Sequence, residues 1–211
     1  IVYDAAHACG AKYNNKIIGS EEDLVCFSFH PVKNLAMPKG GAITINNKDN
    51  IRIKEKLNAM RWCGITNRRN SFYDVSYLGF NYYMDEISAS IGIEQLKKIS
   101  RFNKRRLDIA IRYNSELNVD RKIPLSSNCS YHLYWIRMKN RDKFLEYMQE
   151  KGIEVGTHYK PVHQMSFYKL KSKLCVTEEV SNEIVTIPMH PNLRDDDVDV
   201  IVKTINSFDD N

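Results

Sequence analysis

The sequence predicts an α/β protein with one larger and one smaller domain, and three observations carry that expectation. Its 211 residues suffice for a main domain with a small companion. Three short apolar runs near the start, residues 1–3, 25–29 and 42–45, are punctuated by Gly, Pro, Asn and Asp. They read as strands buried on both faces of a parallel or mixed sheet. After Asn118 the pattern changes to shorter strands and helices, with Pro124 and Ser126-Ser127-Asn128 marking the change.

The elements follow in order. Residues 48–62 are charged and helix-compatible, with Ile53, Leu57 and Met60 on one face. Residues 84–99 are apolar or small on all sides, which predicts a largely buried helix despite Gly92. Residues 102–117 continue as helix, with Leu107, Ala110, Ile111 and Leu117 in one stripe and Arg101, Arg105, Arg106 and Arg112 elsewhere. This helix reads as the link between domains 1–118 and 119–211. In the second domain, residues 132–138 have strand composition, and residues 143–151 form a helix with Phe144, Leu145 and Met148 inward. Gly152 stands where a C-cap belongs, and residues 153–155 read as strand. Asp195, Asp196 and Asp197 occupy the first turn of a last helix, whose Val198, Ile201, Val202 and Ile205 recur at helical spacing.

The charge balance is 31 Lys/Arg against 26 Asp/Glu, a net +5, and the excess is local. Residues 48–69 carry seven bases and two acids, whereas residues 193–211 carry six acids and two bases. Without interleaved aromatic residues this basic stretch reads first as a solvated face, then as a contact for a phosphorylated small molecule, with nucleic acid a distant third. Five cysteines without a C-x-x-C pair argue against a disulfide framework or a zinc site, and a reducing cytoplasm fits them best. No apolar run approaches the ~20 residues of a spanning helix, so no membrane partner is expected. The chain opens at Ile1 on a strand with no signal peptide ahead of it, and is expected to be a piece of something longer.

Polar groups gather where the first strands end. Asp4 closes the run at residues 1–3, Ser28 closes the next strand, Lys33 lies on the loop beyond it, and Gly40-Gly41 precedes the third. At the carboxyl edge of an α/β sheet such a set suits pyridoxal phosphate (PLP). A lysine amine forms the Schiff base, a carboxylate keeps the pyridine nitrogen protonated, and a serine donates to the phosphate. Taken singly, an aspartate there is more often a helix cap and a loop lysine is more often solvated.

The combination is more specific. Asp4-Ala-Ala-His7, Phe27-Ser-Phe-His-Pro-Val-Lys33-Asn34, Gly40-Gly41 and Leu78-Gly-Phe-Asn81-Tyr82-Tyr83-Met84 occur in order, followed by Ile91-Gly92, Arg105-Arg106, Tyr131-His132, His158-Tyr159 and Ile187-Pro188-Met189-His190-Pro191. This series resembles the DegT/DnrJ/EryC1/StrS family of PLP-dependent sugar aminotransferases, over essentially the whole chain. The resemblance implies the aspartate-aminotransferase-like, type I PLP fold: the C-terminal part of its large domain followed by the small α+β C-terminal domain. It implies homodimers with composite sites. It assigns Lys33 as the lysine that carries the cofactor, Asp4 as partner of the ring nitrogen, His7 as neighbour of the ring or its phenolic oxygen, and Ser28 as a phosphate ligand. Asn81 matches the residue that reaches the phosphate from the other subunit, and His158 and Tyr159 match a stretch near the sugar-nucleotide pocket. His30, His163 and His190 keep the reading of packed or solvated histidines, and no metal is expected.

Two positions depart from the family's pattern: Lys39 stands where an acid is common and Tyr83 where an arginine is frequent. The family's N-terminal portion, with its phosphate loop and stacking aromatic residue, is not among these residues. The expected activity is transfer of an amino group, resembling the family's use of glutamate, to the keto group of a nucleotide-linked sugar for surface polysaccharide or glycan synthesis. The alternatives are a non-catalytic or incomplete fragment of that fold, and the sugar dehydratase branch, which has histidine at the lysine position and is disfavoured by Lys33.

Overall fold

A computed structural model describes residues 1–46, 49–168 and 172–209. The chain divides into two compact units, Ile1–Phe102 and Asn103–Asn211.

The first unit is built on a three-stranded mixed sheet. Strand β1 (Val2–Asp4) pairs parallel with β4 (Leu24–Ser28), and β5 (Gly41–Ile45) pairs antiparallel with β4 on its other side. Between β1 and β4, a short hairpin of β2 (Lys12–Tyr13) and β3 (Lys16–Ile17) turns on Asn14 and Asn15. Their φ values of 47° and 64° suit asparagine, which tolerates the left-handed region that a two-residue hairpin loop demands. The strands are less buried than their composition predicts. Val25 is fully buried, but β1 is exposed along its length and most of β5 is exposed. The reason is position: β1 and β5 are the two edges of the sheet.

Helix α1 (Asn50–Arg61) buries Ala59 and half-buries Ile53, Leu57 and Met60, the stripe read from the sequence. Lys48, the expected start, lies outside the described residues. A hairpin of β6 (Ile65–Arg69) and β7 (Phe72–Val75) follows, interrupted by a bulge. Helix α2 (Glu86–Glu116) runs across the division between the units. Its first turns correct the expectation for residues 84–99: Ile87, Ile91, Ile93 and Leu96 are exposed, and Ser88 and Gly92 are buried. The helix packs through its small residues. A Cβ on Gly92 would stand 2.9 Å from the Met37 methyl, so the glycine lets the β4–β5 loop approach the helix axis.

The units part within α2, earlier than the expected 118/119, because its second half belongs to the core of the second unit. Ile109, Ala110, Tyr113 and Leu117 are buried there against β8 (Tyr134–Arg137), α3 (Arg141–Glu150), β9 (Ile184–Ile187) and α5 (Asp195–Asn206). β8 and β9 pair antiparallel, and Tyr113 meets Tyr134 edge to face with ring centroids 5.1 Å apart. Gly152 terminates α3 with φ 72°, and its N–H donates to the Gln149 carbonyl at 2.9 Å, as a glycine C-cap should. The strand expected at residues 153–155 shrinks to a single bridge between Gly156 and Thr186. Helix α4 (Cys175–Glu183) leads into β9. No helix among the described residues is long and apolar enough to cross a membrane.

Candidate functional site

Sheet topology gathers three of the expected residues at one edge. Because β1 and β4 are parallel, their last residues, Asp4 and Ser28, emerge on the same side. β5 is antiparallel and begins at Gly41 opposite Ser28, so the loop of residues 29–40 that carries Lys33 returns to that edge. The close pairing requires glycine: a Cβ at Gly41 would stand 2.7 Å from the Phe27 carbonyl oxygen.

The loop is tightly held. Phe29 N–H donates to the Gly40 carbonyl (3.0 Å), Met37 N–H to the Phe29 carbonyl (3.0 Å) and Lys33 N–H to the His30 carbonyl (2.8 Å). Asn34, Leu35 and Met37 are buried beneath it while Lys33 is half-buried, so backbone and neighbours fix the origin of a flexible amine. Ser28 Oγ accepts from His30 N–H at 3.4 Å, which leaves its own hydroxyl proton for another acceptor. Asp4 Oδ1 accepts from Ala6 N–H at 3.0 Å, so the turn-capping role is realised, and the second carboxylate oxygen remains for another donor. His7 is exposed on the turn that follows. The donor set fits PLP: an amine, a carboxylate and a hydroxyl share the carboxyl edge of the β1/β4 pair, matching the cofactor's carbonyl carbon, pyridine nitrogen and phosphate.

Asn81 sits elsewhere in the first unit. Its segment is bound to the end of α1 through Cys63 N–H to the Phe80 carbonyl and Phe80 N–H to the Met60 carbonyl, each at 3.0 Å. Asn81 bridges to Trp62 and its Oδ1 accepts from Tyr83 N–H at 3.3 Å. Nearby, three cations lie over aromatic rings: Arg68 over Trp62 (4.7 Å), Arg61 over Tyr83 (5.6 Å) and Lys56 over Tyr77 (5.7 Å). Aromatic residues are thus interleaved with the basic stretch in space, where the sequence spacing showed none. Tyr83, which departs from the family's arginine, has a guanidinium beside it from Arg61.

The second unit holds His158 and Tyr159. His158 Nδ1 is 2.6 Å from Thr186 Oγ1, and its ring meets that of Tyr159 edge to face at 4.7 Å. His158 lines a cavity of about 600 Å³ together with His132, His190, Gly156, Thr186 and Met189. Partial desolvation and the neighbouring Arg106 cation pull the His190 imidazole below its usual range. His163, by contrast, is buried against Glu178, with Nε2 to Oε1 at 3.1 Å, as a packed histidine would be. Among the described residues no group of three or more His, Cys, Asp or Glu side chains is placed to hold a metal ion. Thr186 and Arg61 were not singled out from the sequence. A threonine within an apolar strand run is the one signal that marked the former.

The model of the DegT/DnrJ/EryC1/StrS aminotransferase family matches residues 1–206. A UDP-4-amino-4,6-dideoxy-N-acetyl-beta-L-altrosamine transaminase of Campylobacter jejuni is 32% identical over 99% of this chain and 58% of its own length. The structure of Helicobacter pylori PseC, an aminotransferase involved in the biosynthesis of pseudoaminic acid, superposes with a TM-score of 0.88 at 28% identity, covering 98% of this chain and 60% of that one. Spr1654 from Streptococcus pneumoniae in its PLP form gives 0.88 at 28% identity, covering 98% of this chain and 57% of that one. The chain spans 58% of the length of the curated relatives it matches.

Proposed function

The chain belongs to the DegT/DnrJ/EryC1/StrS aminotransferase family and has its type I α/β fold, and on that premise we propose that the protein transfers an amino group from an amino-acid donor, glutamate by family resemblance, to the keto group of a nucleotide-linked sugar in polysaccharide or glycan biosynthesis. The observation that carries this reading is the convergence of Asp4, Ser28 and Lys33 at one sheet edge, from two parallel strand ends and the loop between β4 and β5. The activities of the Campylobacter jejuni transaminase and of the Helicobacter pylori aminotransferase support it.

PLP, when bound, supplies an electron sink for breaking a bond at the amino-bearing carbon. Lys33 Nζ would hold the cofactor at its carbonyl carbon, and, once displaced by the incoming amine, the freed Nζ would be the group placed to accept and return a proton at the amino-bearing carbon. Asp4 keeps a proton on the ring nitrogen through its free carboxylate oxygen. Ser28 would donate to the phosphate, and His7 would stand beside the ring. Asn81 reaches the phosphate of a second subunit in a homodimer, and His158 and Tyr159 contact the sugar nucleotide. The proposed setting is the cytoplasm.

The test uses the full-length protein with PLP, glutamate and a panel of nucleotide-linked keto sugars, following the amino sugar and 2-oxoglutarate. Stoichiometric formation of both, lost in Lys33→Ala, is the expected result. Deoxygenated sugar without amino transfer would instead favour the dehydratase branch, and absence of turnover would favour a non-catalytic protein.

A further inference from the structure

Arg106 occupies an unusual place for a cation. It is 5% exposed, on the face of α2 that meets the core of the second unit. Its hydrogen-bond partners among the described residues are main-chain carbonyls: Nη1 donates to Tyr131 (3.1 Å), His132 (3.4 Å) and Met189 (2.6 Å), while Nε is buried without a partner. Desolvation brings the guanidinium down to about 10, so it remains charged at neutral pH. A buried charge without a carboxylate is costly, and an apolar residue of similar volume would fill the space at less cost. What the arginine adds is geometry. One nitrogen gathers carbonyls from two segments distant in sequence.

Those segments lie at one end of the small sheet. Residues 131–132 precede β8 and Met189 follows β9, and the antiparallel register sets Tyr134 opposite Ile187. Seven residues further along α2, Tyr113 Oη donates to the Pro188 carbonyl at 2.9 Å, so the same helix face holds this end twice. Tyr131 has φ 42°, a left-handed conformation that a tyrosine adopts only when its surroundings enforce it. His132, Met189 and Pro188 line the cavity that His158 also lines.

We propose that Arg106 is a positioning residue: by tying residues 131–132 and 189 to α2 it fixes the spacing of the walls of the His158 cavity, and thereby sets the affinity for the nucleotide-linked sugar. This rests on the reading above that His158 contacts that substrate. Arg106 touches neither cofactor nor substrate in this account.

The test compares Arg106→Met and Arg106→Lys in the full-length protein. For Arg106→Met the KM of the keto-sugar nucleotide rises about tenfold while kcat and the KM of the amino donor stay within about twofold. Arg106→Lys, which keeps a charged donor, lies between the two and supplies the measurement if the methionine variant does not fold. In parallel, amide hydrogen exchange at residues 131–133 and 187–190 accelerates in the variants while Ile136 and Val185, inside the strands, keep their protection. A purely structural role would lower thermal stability and the yield of active enzyme with KM unchanged, and that result would overturn the proposal. Unchanged exchange at both segments would also overturn it. A wild-type protein that fails to transaminate any keto-sugar nucleotide would overturn the functional reading instead, and the exchange comparison alone would then decide whether Arg106 ties the two segments.

Discussion

In the proposed site the two carboxylate oxygens of Asp4 have different tasks: one accepts from Ala6 N–H, and the other would face the cofactor's ring nitrogen. Asparagine can still accept the turn hydrogen bond but carries no charge. Asp4→Asn should therefore keep the thermal unfolding temperature and the secondary structure of the parent while lowering kcat by about 10²-fold or more. Equal turnover would reduce Asp4 to a turn cap. That Asp4, Ser28 and the loop of Lys33 share one sheet edge was legible in the sequence, because strand ends, a Pro-containing loop and a glycine pair all leave local marks. Arg61 beside Tyr83 and Thr186 beside His158 were not legible. Each partner lies at least twenty residues away or in another element, and no local pattern encodes such a meeting.

Helix α5 shows how far local pattern reaches at the scale of an element. Val198, Ile201, Val202 and Ile205 are buried, as their spacing predicts, and one of the three acids of the first turn, Asp197, caps the helix. Asp197 accepts from Arg194 N–H at 2.9 Å and from the Arg194 guanidinium at 2.8 Å, and these bonds hold its carboxyl at about 2. With the folded value below the unfolded one, the stabilisation is fully present above pH ~4 and is lost as pH falls from about 4 to about 2. Thermal unfolding of Asp197→Asn and wild type from pH 7 to pH 2 checks this. The wild-type lead should be constant above pH ~4 and should shrink below it. Helix α3 gives a core test: Phe144 is fully buried, so Phe144→Ala should cost about 3–5 kcal/mol in denaturant unfolding. Pattern failed where burial was not on the apolar side. Residues 84–99 looked buried all round, yet the buried positions are Ser88 and Gly92, and it is Gly92 that meets Met37 of the β4–β5 loop. The β6–β7 hairpin escaped notice because Phe72, Tyr73 and Val75 are all exposed, so no alternation of buried and exposed positions writes it into the sequence.

Across the whole molecule the two units differ in how they are held. The second has a contiguous core running from Ile109 to Ile205, whereas the buried apolar residues of the first are fewer among the described residues: Ala5, Ala11, Val25, Leu35, Met37 and Ala59. In the 211-residue chain, amides of β8, β9 and α5 should exchange with solvent more slowly than those of β1 and β5, by about 10-fold or more. The change of pattern after Asn118 does not coincide with the division between the units, which falls inside α2, since the stripe of a helix does not say which unit it packs into.

Borohydride trapping tests most directly whether the protein holds its cofactor on Lys33, as proposed. The full-length protein is incubated with PLP, reduced with borohydride, digested and mapped by mass spectrometry. The expected result is one pyridoxyl label, on Lys33, that disappears when glutamate is added before reduction. A label spread over surface lysines, or one on Lys33 that glutamate does not discharge, would contradict it.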